Sequence, residues 1–304
     1  MHSCTPSLRR AKALLGTLVD IRVAGEGGTA HLIEASSAAF RAISRVHRLM
    51  SFHDPGSDVS RLNREAHQGP VTVDPGTWAV LARAGEIAHA SNGAFDVTIA
   101  PRLVAWGLLP APVGAPPPDP GADWRAVELL AGHRVRFRTP LWLDLGGIAK
   151  GHAVDCACAA LRAHDVHDYV VNAGGDLAIG SQPTPVQVRD PDCPGVLLRL
   201  GVYARVAVAT SATYYAKRAT AAGTVHPIVA PASGAPAAYG GSISVLAPDA
   251  MTADALTKVL AVAGRPADPL LARYGARAAF VRSTRTIWYD GACAPAAGLQ
   301  ARQA

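Results

Sequence analysis

Residues 168–210, DYVVNAGGDLAIGSQPTPVQVRDPDCPGVLLRLGVYARVAVAT, form a run of short β-rich stretches punctuated by Gly and Pro. Strands this close together are joined by turns, and a turn joins antiparallel neighbours, because a parallel pair needs a crossover of a dozen or more residues. Working outward, further strands are predicted at 225–229 and 242–246, with a closing hairpin at 277–289. Upstream come a first strand at 16–23 and short strands near 126–130, 134–137 and 141–144. Helices are predicted between them. Ile33, Phe40, Ile43, Val46 and Met50 recur at helical spacing over about 29–49. Ser57 or Asp58 can cap a short helix through Leu62, 77–90 is closed by Ser91-Asn92-Gly93, and 148–164 and 249–262 complete the set. Strands cluster in the second half and are linked mostly by turns, so the fold class is α+β, with mainly antiparallel sheets flanked by helices, rather than doubly wound.

The chain of 304 residues is read as a single domain over 1–304, with the Pro/Gly-rich stretch 110–122 (PAPVGAPPPDPGA) as an exposed loop. Hydrophobic residues make up 49% and charged residues 17%, below the typical ~25%, which excludes wholesale disorder. The net charge of +6 is spread along the chain without a run of five or six basic residues. That distribution speaks against a polynucleotide partner and fits a local anionic ligand. No stretch of about 18 apolar residues would span a membrane. No signal peptide is legible, so a cytoplasmic protein is expected, with a periplasmic one as the alternative if the sequence is trimmed. The five cysteines, Cys4, Cys156, Cys158, Cys193 and Cys293, are odd in number and form no CxxC pair, which argues against a disulfide framework or a zinc ribbon.

The most informative chemistry lies in Leu143-Asp144-Leu145-Gly146-Gly147-Ile148-Ala149-Lys150-Gly151. It reads as a strand ending in a carboxylate, two glycines, then a helix start carrying a lysine. Glycines let a backbone approach a ligand closely, and a helix N-terminus attracts anions. A tight strand–helix turn with a solvated lysine explains it equally well. Asn172-Ala173-Gly174-Gly175-Asp176 is a second glycine turn, readable as a hairpin or as a ligand contact. In Gly93-Ala94-Phe95-Asp96-Val97-Thr98, Phe95 suits a core and Asp96 a cap. Asp254 sits in an apolar helix, with Ala250, Met251, Ala253, Ala255 and Leu256 around it. An enclosed carboxylate there must be paired or metal-bound.

Taken in order, MSFHDP (50–55), SDVSRLN (57–63), GAFDVT (93–98), DLGGIAKGHAVD (144–155), NAGGD (172–176), Ala209-Thr210-Ser211 and ADALTKVL (253–260) resemble the ApbE family of FAD:protein FMN transferases, over about residues 11–285. The resemblance implies an ApbE-like fold and an enzyme that moves the FMN part of FAD onto a Ser or Thr hydroxyl of an acceptor protein, releasing AMP, with Mg2+ as cofactor. It implies that Met50, Ala94, Phe95, Asp96, Asp144, Lys150 and Ile228 line the FAD pocket. It also implies that the Gly147 carbonyl, Asp254 and Thr257 hold Mg2+. No residue is assigned as the catalytic base.

The chain departs from the family at three places. Lys258 stands where the family has a Thr four residues after the metal-binding Asp, with Thr257 one residue earlier. A protonated ammonium cannot ligate Mg2+, so either Lys258 turns away or it replaces part of the metal's charge. In HPIVAPASG (226–234) the positions of the family's His and Asp are Pro227 and Ala230, and only a bulge would turn His226 into the site. The family's TSG-acid-Tyr pattern reads Thr210-Ser211-Ala212-Thr213-Tyr214. Two alternatives to transfer follow: a non-catalytic FAD-binding protein acting as a flavin carrier, and an FAD pyrophosphatase giving FMN and AMP.

Overall fold

The computed structural model describes residues 5–193, 195–212, 217–220, 223–264, 268–282 and 285–290. Its frame is one eight-stranded sheet. In chain order its strands are β1 (Ser7–Leu14), β2 (Thr17–Ala24), β3 (Asp168–Ala173), β4 (Asp176–Ile179), β5 (Val206–Ala212), β6 (Ser242–Ala247), β7 (Arg277–Arg282) and β8 (Arg285–Asp290). They lie side by side in that same order, and every neighbouring pair is antiparallel. The α+β class read from the turn-linked strands is therefore the class observed.

One face of the sheet carries three packed helices, α1 (Gly28–Met50), α5 (Ala149–Ala163) and α6 (Ala250–Ala263). α1 packs on α5, α5 on α6, and α6 on β5 and β6. The period-2 pattern explains which face they cover: Val19, Ile21 and Val23 of β2 are fully buried, while Leu18 and Arg22, of the opposite parity, are exposed. On α1 the buried positions Leu32, Ala35, Ala39, Phe40, Ile43, Val46 and Met50 form one stripe. The hairpin of Thr184–Arg189 and Leu197–Tyr203 packs Val186, Val188 and Leu200 against Ile179, Val208, Leu246 and Val281 in a second apolar cluster. The remaining helices are α2 (Asp58–Glu65), α3 (Pro75–Ala90), α4 (Ala100–Ala105) and α7 (Asp268–Arg273). Ser57 caps α2, accepting from the Ser60 amide at 3.0 Å.

Where α5 crosses the start of α6 there is no room for a side chain. A Cβ on Gly151 would lie 2.2 Å from the Ala250 carbonyl oxygen. The close approach lets Asp155 of α5 cap α6, accepting from the amides of Ala250 and Met251 at 2.8 Å each. It also lets the Gly151 N–H reach Asp254 Oδ2 at 3.2 Å. The glycine after Lys150 thus fixes how α6 presents its residues.

Three expected elements differ. Residues 7–14 form an edge strand, although the sequence predicts none before residue 16. Residues 141–144 are extended but join no ladder. Their backbone is held by the Asn63 side chain, which accepts from the Leu143 amide (2.8 Å) and donates to the Leu143 carbonyl (3.1 Å), and by a bond from the Asp144 amide to the Val97 carbonyl (2.8 Å). The strand expected at 225–229 is broken: Gly223–Val225 and Val229–Ala230 belong to separate two-stranded sheets, with His226, Pro227 and Ile228 between them.

Candidate active site

A cavity of about 620 Å³ opens at the C-terminal end of α1. That is the size of a site for a sizeable organic ligand. Its walls come from six places in the chain: the β1–β2 turn at Leu15-Gly16, the end of α1 and the loop after it, the 94–99 segment, the helix α4 and its exit, the 144–150 turn, and 227–231. Lys258 enters from α6. All seven residues expected to line a flavin pocket, Met50, Ala94, Phe95, Asp96, Asp144, Lys150 and Ile228, face this one space. Gly147 lines it too, whereas Asp254 and Thr257 lie behind the wall and are fully buried.

The apolar part of the wall includes Met50, Phe52, Phe95, Leu103 and Ile228. Asp96 holds its own loop: Oδ1 accepts from the amide and hydroxyl of Thr98, both at 2.7 Å, and Oδ2 accepts from the Trp124 amide at 3.4 Å. Asp96 thus lines the cavity and ties its own loop but caps no helix, since the residue before α4 is Ile99, which makes no side-chain cap. Burial pushes the carboxyls of Asp96 and Asp144 above the usual range, opposed in each case by backbone amides. His53 stands near enough for its positive form to favour the Asp144 carboxylate.

The floor is charged. Lys150 Nζ donates to Asp176 Oδ2 and lies 3.8 Å from Asp254 Oδ2. Lys258 Nζ donates to Asp254 Oδ1 and, at 3.1 Å, to the Asp254 carbonyl. Its stem lies on Gly147, where a Cβ would be 3.8 Å from Lys258 Cε. Asp176 is 1% exposed and Asp254 0%, while the side chains of Lys150 and Lys258 are 32% and 19% exposed. Burial pulls the Lys150 pKa down, but Asp176 and Asp254 together outweigh it and hold the ammonium protonated. The carboxylates thus lie inside and the ammoniums on the cavity side.

The amides at the start of α5 are less free than the glycine turn suggests. Those of Ile148 and Ala149 bond to the Leu145 carbonyl at 3.0 and 2.8 Å, and that of Gly151 bonds to Asp254. The two lysines add positive charge at the cavity that these three amides do not supply.

A divalent cation fits this donor set poorly. Thr257 donates its hydroxyl to the Asp254 carbonyl at 2.7 Å and lies 2.7 Å from Ser211 Oγ, so it is engaged behind the wall. Asp254 Oδ1 already holds the Lys258 ammonium, and Oδ2 faces Gly151 and Lys150. Among the described residues no three His, Cys, Asp or Glu side chains converge. Mg2+ demands near-octahedral oxygen ligation at about 2.0–2.1 Å, and here it would have to displace an ammonium and remain beside it.

His226 is not turned into the cavity. Its Nε2 pairs with the Ala237 carbonyl at 3.1 Å, Nδ1 accepts from the Ile228 amide at 3.3 Å, and burial lowers its pKa. The ring is a neutral structural link, and Pro227 takes the place on the cavity wall. Thr213 and Tyr214 lie outside the described residues. The sequence reading missed two participants. Asp176 reads as a turn residue, and only the β3–β4 hairpin brings it under Lys150; an acid opening a strand whose remaining residues are all apolar was the available signal. His53 stood unremarked inside a recognised motif.

The fold is thus α+β, an antiparallel sheet backed by helices, with an apolar-walled cavity floored by two lysine–aspartate pairs. A family model described as the ApbE family matches residues 15–280, and the chain belongs to that family. A Treponema pallidum (strain Nichols) protein named FAD:protein FMN transferase is 30% identical over 283 residues, covering 84% of this chain and 78% of the relative. A Rhodobacter capsulatus protein of the same name is also 30% identical, over 293 residues; the match covers 90% of this chain and 55% of that longer relative. The solved structure of the ApbE protein of Thermotoga maritima superposes with a TM-score of 0.79 at 28% identity, covering 90% of this chain and 94% of that one. The named relatives are transferases.

Proposed function

We propose that this protein is an FAD:protein FMN transferase: it binds FAD in the 620 Å³ cavity and moves the FMN moiety onto a Ser or Thr hydroxyl of an acceptor protein, releasing AMP. The observation that carries the reading is the convergence of Met50, Ala94, Phe95, Asp96, Asp144, Lys150 and Ile228, drawn from four separate motifs, on one cavity with a lysine floor. Apolar walls suit the flavin ring. Asp96 and Asp144 suit hydrogen bonds from flavin or adenine nitrogens better than contact with phosphate, which an ionised carboxylate would repel. Lys150, held protonated by Asp176 and Asp254, suits the pyrophosphate.

Phosphoryl-type transfer is catalysed mainly by positioning and by charge neutralisation. Lys150 and Lys258 supply the charge, and the cavity supplies the positioning. The Mg2+ that the resemblance implies is not part of this reading, because Asp254 holds the Lys258 ammonium and the Thr257 hydroxyl is bonded to Ser211 and to its own helix. A second reading, FAD binding without transfer, is favoured by one observation: both ring nitrogens of His226 are engaged away from the cavity. The test is AMP release from FAD with a flavin-acceptor domain, alongside in-gel flavin fluorescence of that domain. AMP with a fluorescent acceptor supports transfer; bound FAD without AMP supports the second reading; AMP without labelling supports hydrolysis.

A further inference from the structure

Lys258 sits where the family resemblance expects a metal ligand, yet it is on the cavity wall and hydrogen-bonded to the carboxylate meant for the metal. We propose that the Lys258 ammonium is the built-in counter-charge for the FAD pyrophosphate, taking the place of a divalent cation, so that this chain binds and turns over FAD without one. The inference rests on the transfer reading for its substrate.

Four features support it. First, Lys258 and Lys150 line the cavity while Asp254 and Asp176 lie behind them, so the ligand meets the positive side of a neutral cluster. Second, an ammonium has three N–H donors; Lys258 directs two at Asp254 Oδ1 and O, which leaves one for a phosphate oxygen. Third, the amides of Ile148, Ala149 and Gly151 are already engaged, so they add little to anion binding. Fourth, Thr257, the hydroxyl that could have ligated a metal, is bonded to Ser211 and to its own helix.

In the step this implies, the acceptor hydroxyl oxygen forms a bond to the FMN-side phosphorus. The bond from that phosphorus to the bridging oxygen breaks, and its electron pair stays on the departing AMP phosphate. The hydroxyl proton passes to water. Lys258 neutralises the charge that develops on the AMP phosphate.

The test pairs metal binding with FAD binding. Mn2+ is titrated calorimetrically into the protein, with and without FAD, and FAD affinity is read by flavin fluorescence in EDTA and in Mg2+. Wild type is expected to take up no Mn2+ at millimolar concentration, and its FAD affinity and AMP release are expected to be the same in EDTA as in Mg2+. Lys258→Met, checked for folding by circular dichroism, weakens FAD binding on the order of 10- to 100-fold, and Mg2+ does not restore it. Lys258→Thr, which frees Asp254 Oδ1 as Lys258→Met does but also adds a hydroxyl oxygen beside it, takes up Mn2+ stoichiometrically in the presence of FAD and becomes metal-dependent. Stoichiometric Mn2+ uptake by wild type, a loss of FAD affinity or turnover in EDTA, or a folded Lys258→Met with unchanged FAD affinity would each overturn the proposal. Tight FAD binding in EDTA without AMP release under any condition overturns the transfer reading instead, and leaves the counter-charge role supported by the affinity loss in Lys258→Met.

Discussion

Gly151→Ala places a methyl group where α5 and α6 touch, and the structure gives the consequence in numbers. The new Cβ would stand 2.2 Å from the Ala250 carbonyl oxygen, 2.5 Å from its carbon and 2.8 Å from Met251 Cα. All three are backbone atoms, so no side-chain rotation relieves the clash, and the first turn of α6 must retreat. Overpacking of this kind costs about 1–3 kcal/mol. The retreat also pulls the Ala250 and Met251 amides from Asp155, and losing a cap costs about 1–2 kcal/mol more. A total of about 2–5 kcal/mol corresponds to a fall in Tm of roughly 3–8 °C for a chain of this size. The matched control is Gly85→Ala inside α3, where a Cβ meets nothing within 4 Å and helix propensity predicts a gain of about 0.5–1 kcal/mol. Both variants are to be melted beside wild type by differential scanning fluorimetry, with FAD affinity measured in parallel. Gly151→Ala should also weaken FAD binding, because α6 carries Asp254 and Lys258. A Gly151→Ala protein with wild-type Tm and wild-type FAD affinity would refute the crossing as drawn.

Burial pushes the Asp155 carboxyl up to about 6, only partly offset by the two amides it caps. The folded state therefore binds the proton more tightly than the unfolded state, and this group's contribution grows as pH falls from 6 towards 4 and is lost as pH rises through 6. Denaturant midpoints between pH 4.5 and 7 should show that pH trend in wild type and a smaller one in Asp155→Asn. Lys150→Met leaves Asp176 buried without its partner, a cost of about 2–4 kcal/mol, held below the range for a fully enclosed pair by the partial exposure of Lys150. Its deficit relative to wild type should shrink at acid pH as Asp176 takes up a proton, which urea titrations at two pH values will show. His226→Ala should cost about 1–2 kcal/mol, since it leaves the Ile228 amide unpaired and removes one of two donors from the Ala237 carbonyl, which keeps the Tyr239 amide at 2.8 Å. The pH profile of AMP release in that variant should keep the wild-type shape, because the ring is a link and not a base.

Local patterns that depend on near neighbours were legible in the sequence. Phe40, Ile43, Val46 and Met50 of the helical stripe are buried as expected, whereas Ile33 is 45% exposed and Leu32 takes the inward place; the Ser57 cap and the turn-linked strands of 168–210 translate directly into structure. The edge strand Ser7–Leu14 was hidden because Arg9, Arg10 and Lys12 break its apolar alternation, and such charges are what an edge strand tolerates. Residues 141–144 have the composition of a strand, but their hydrogen bonds go to Asn63, 80 positions away, and to Val97. The same limit applies to the site. Helical spacing puts Thr257 and Lys258 about 100° apart on α6, but only the packing against β5 and the 147 turn decides which one meets the ligand. Pro227 and His226 divide on the same ground: the chain breaks the strand at His226, and the ring is fixed by Ala237.

The most direct test of the central claim is the mass of a flavin-acceptor domain after incubation with this protein and FAD, read together with AMP in the same reaction. The account predicts an acceptor heavier by one covalently attached FMN and an equivalent amount of AMP, both lost when the target hydroxyl residue is replaced by Ala. An acceptor of unchanged mass, from a reaction in which the protein demonstrably holds FAD, would contradict it.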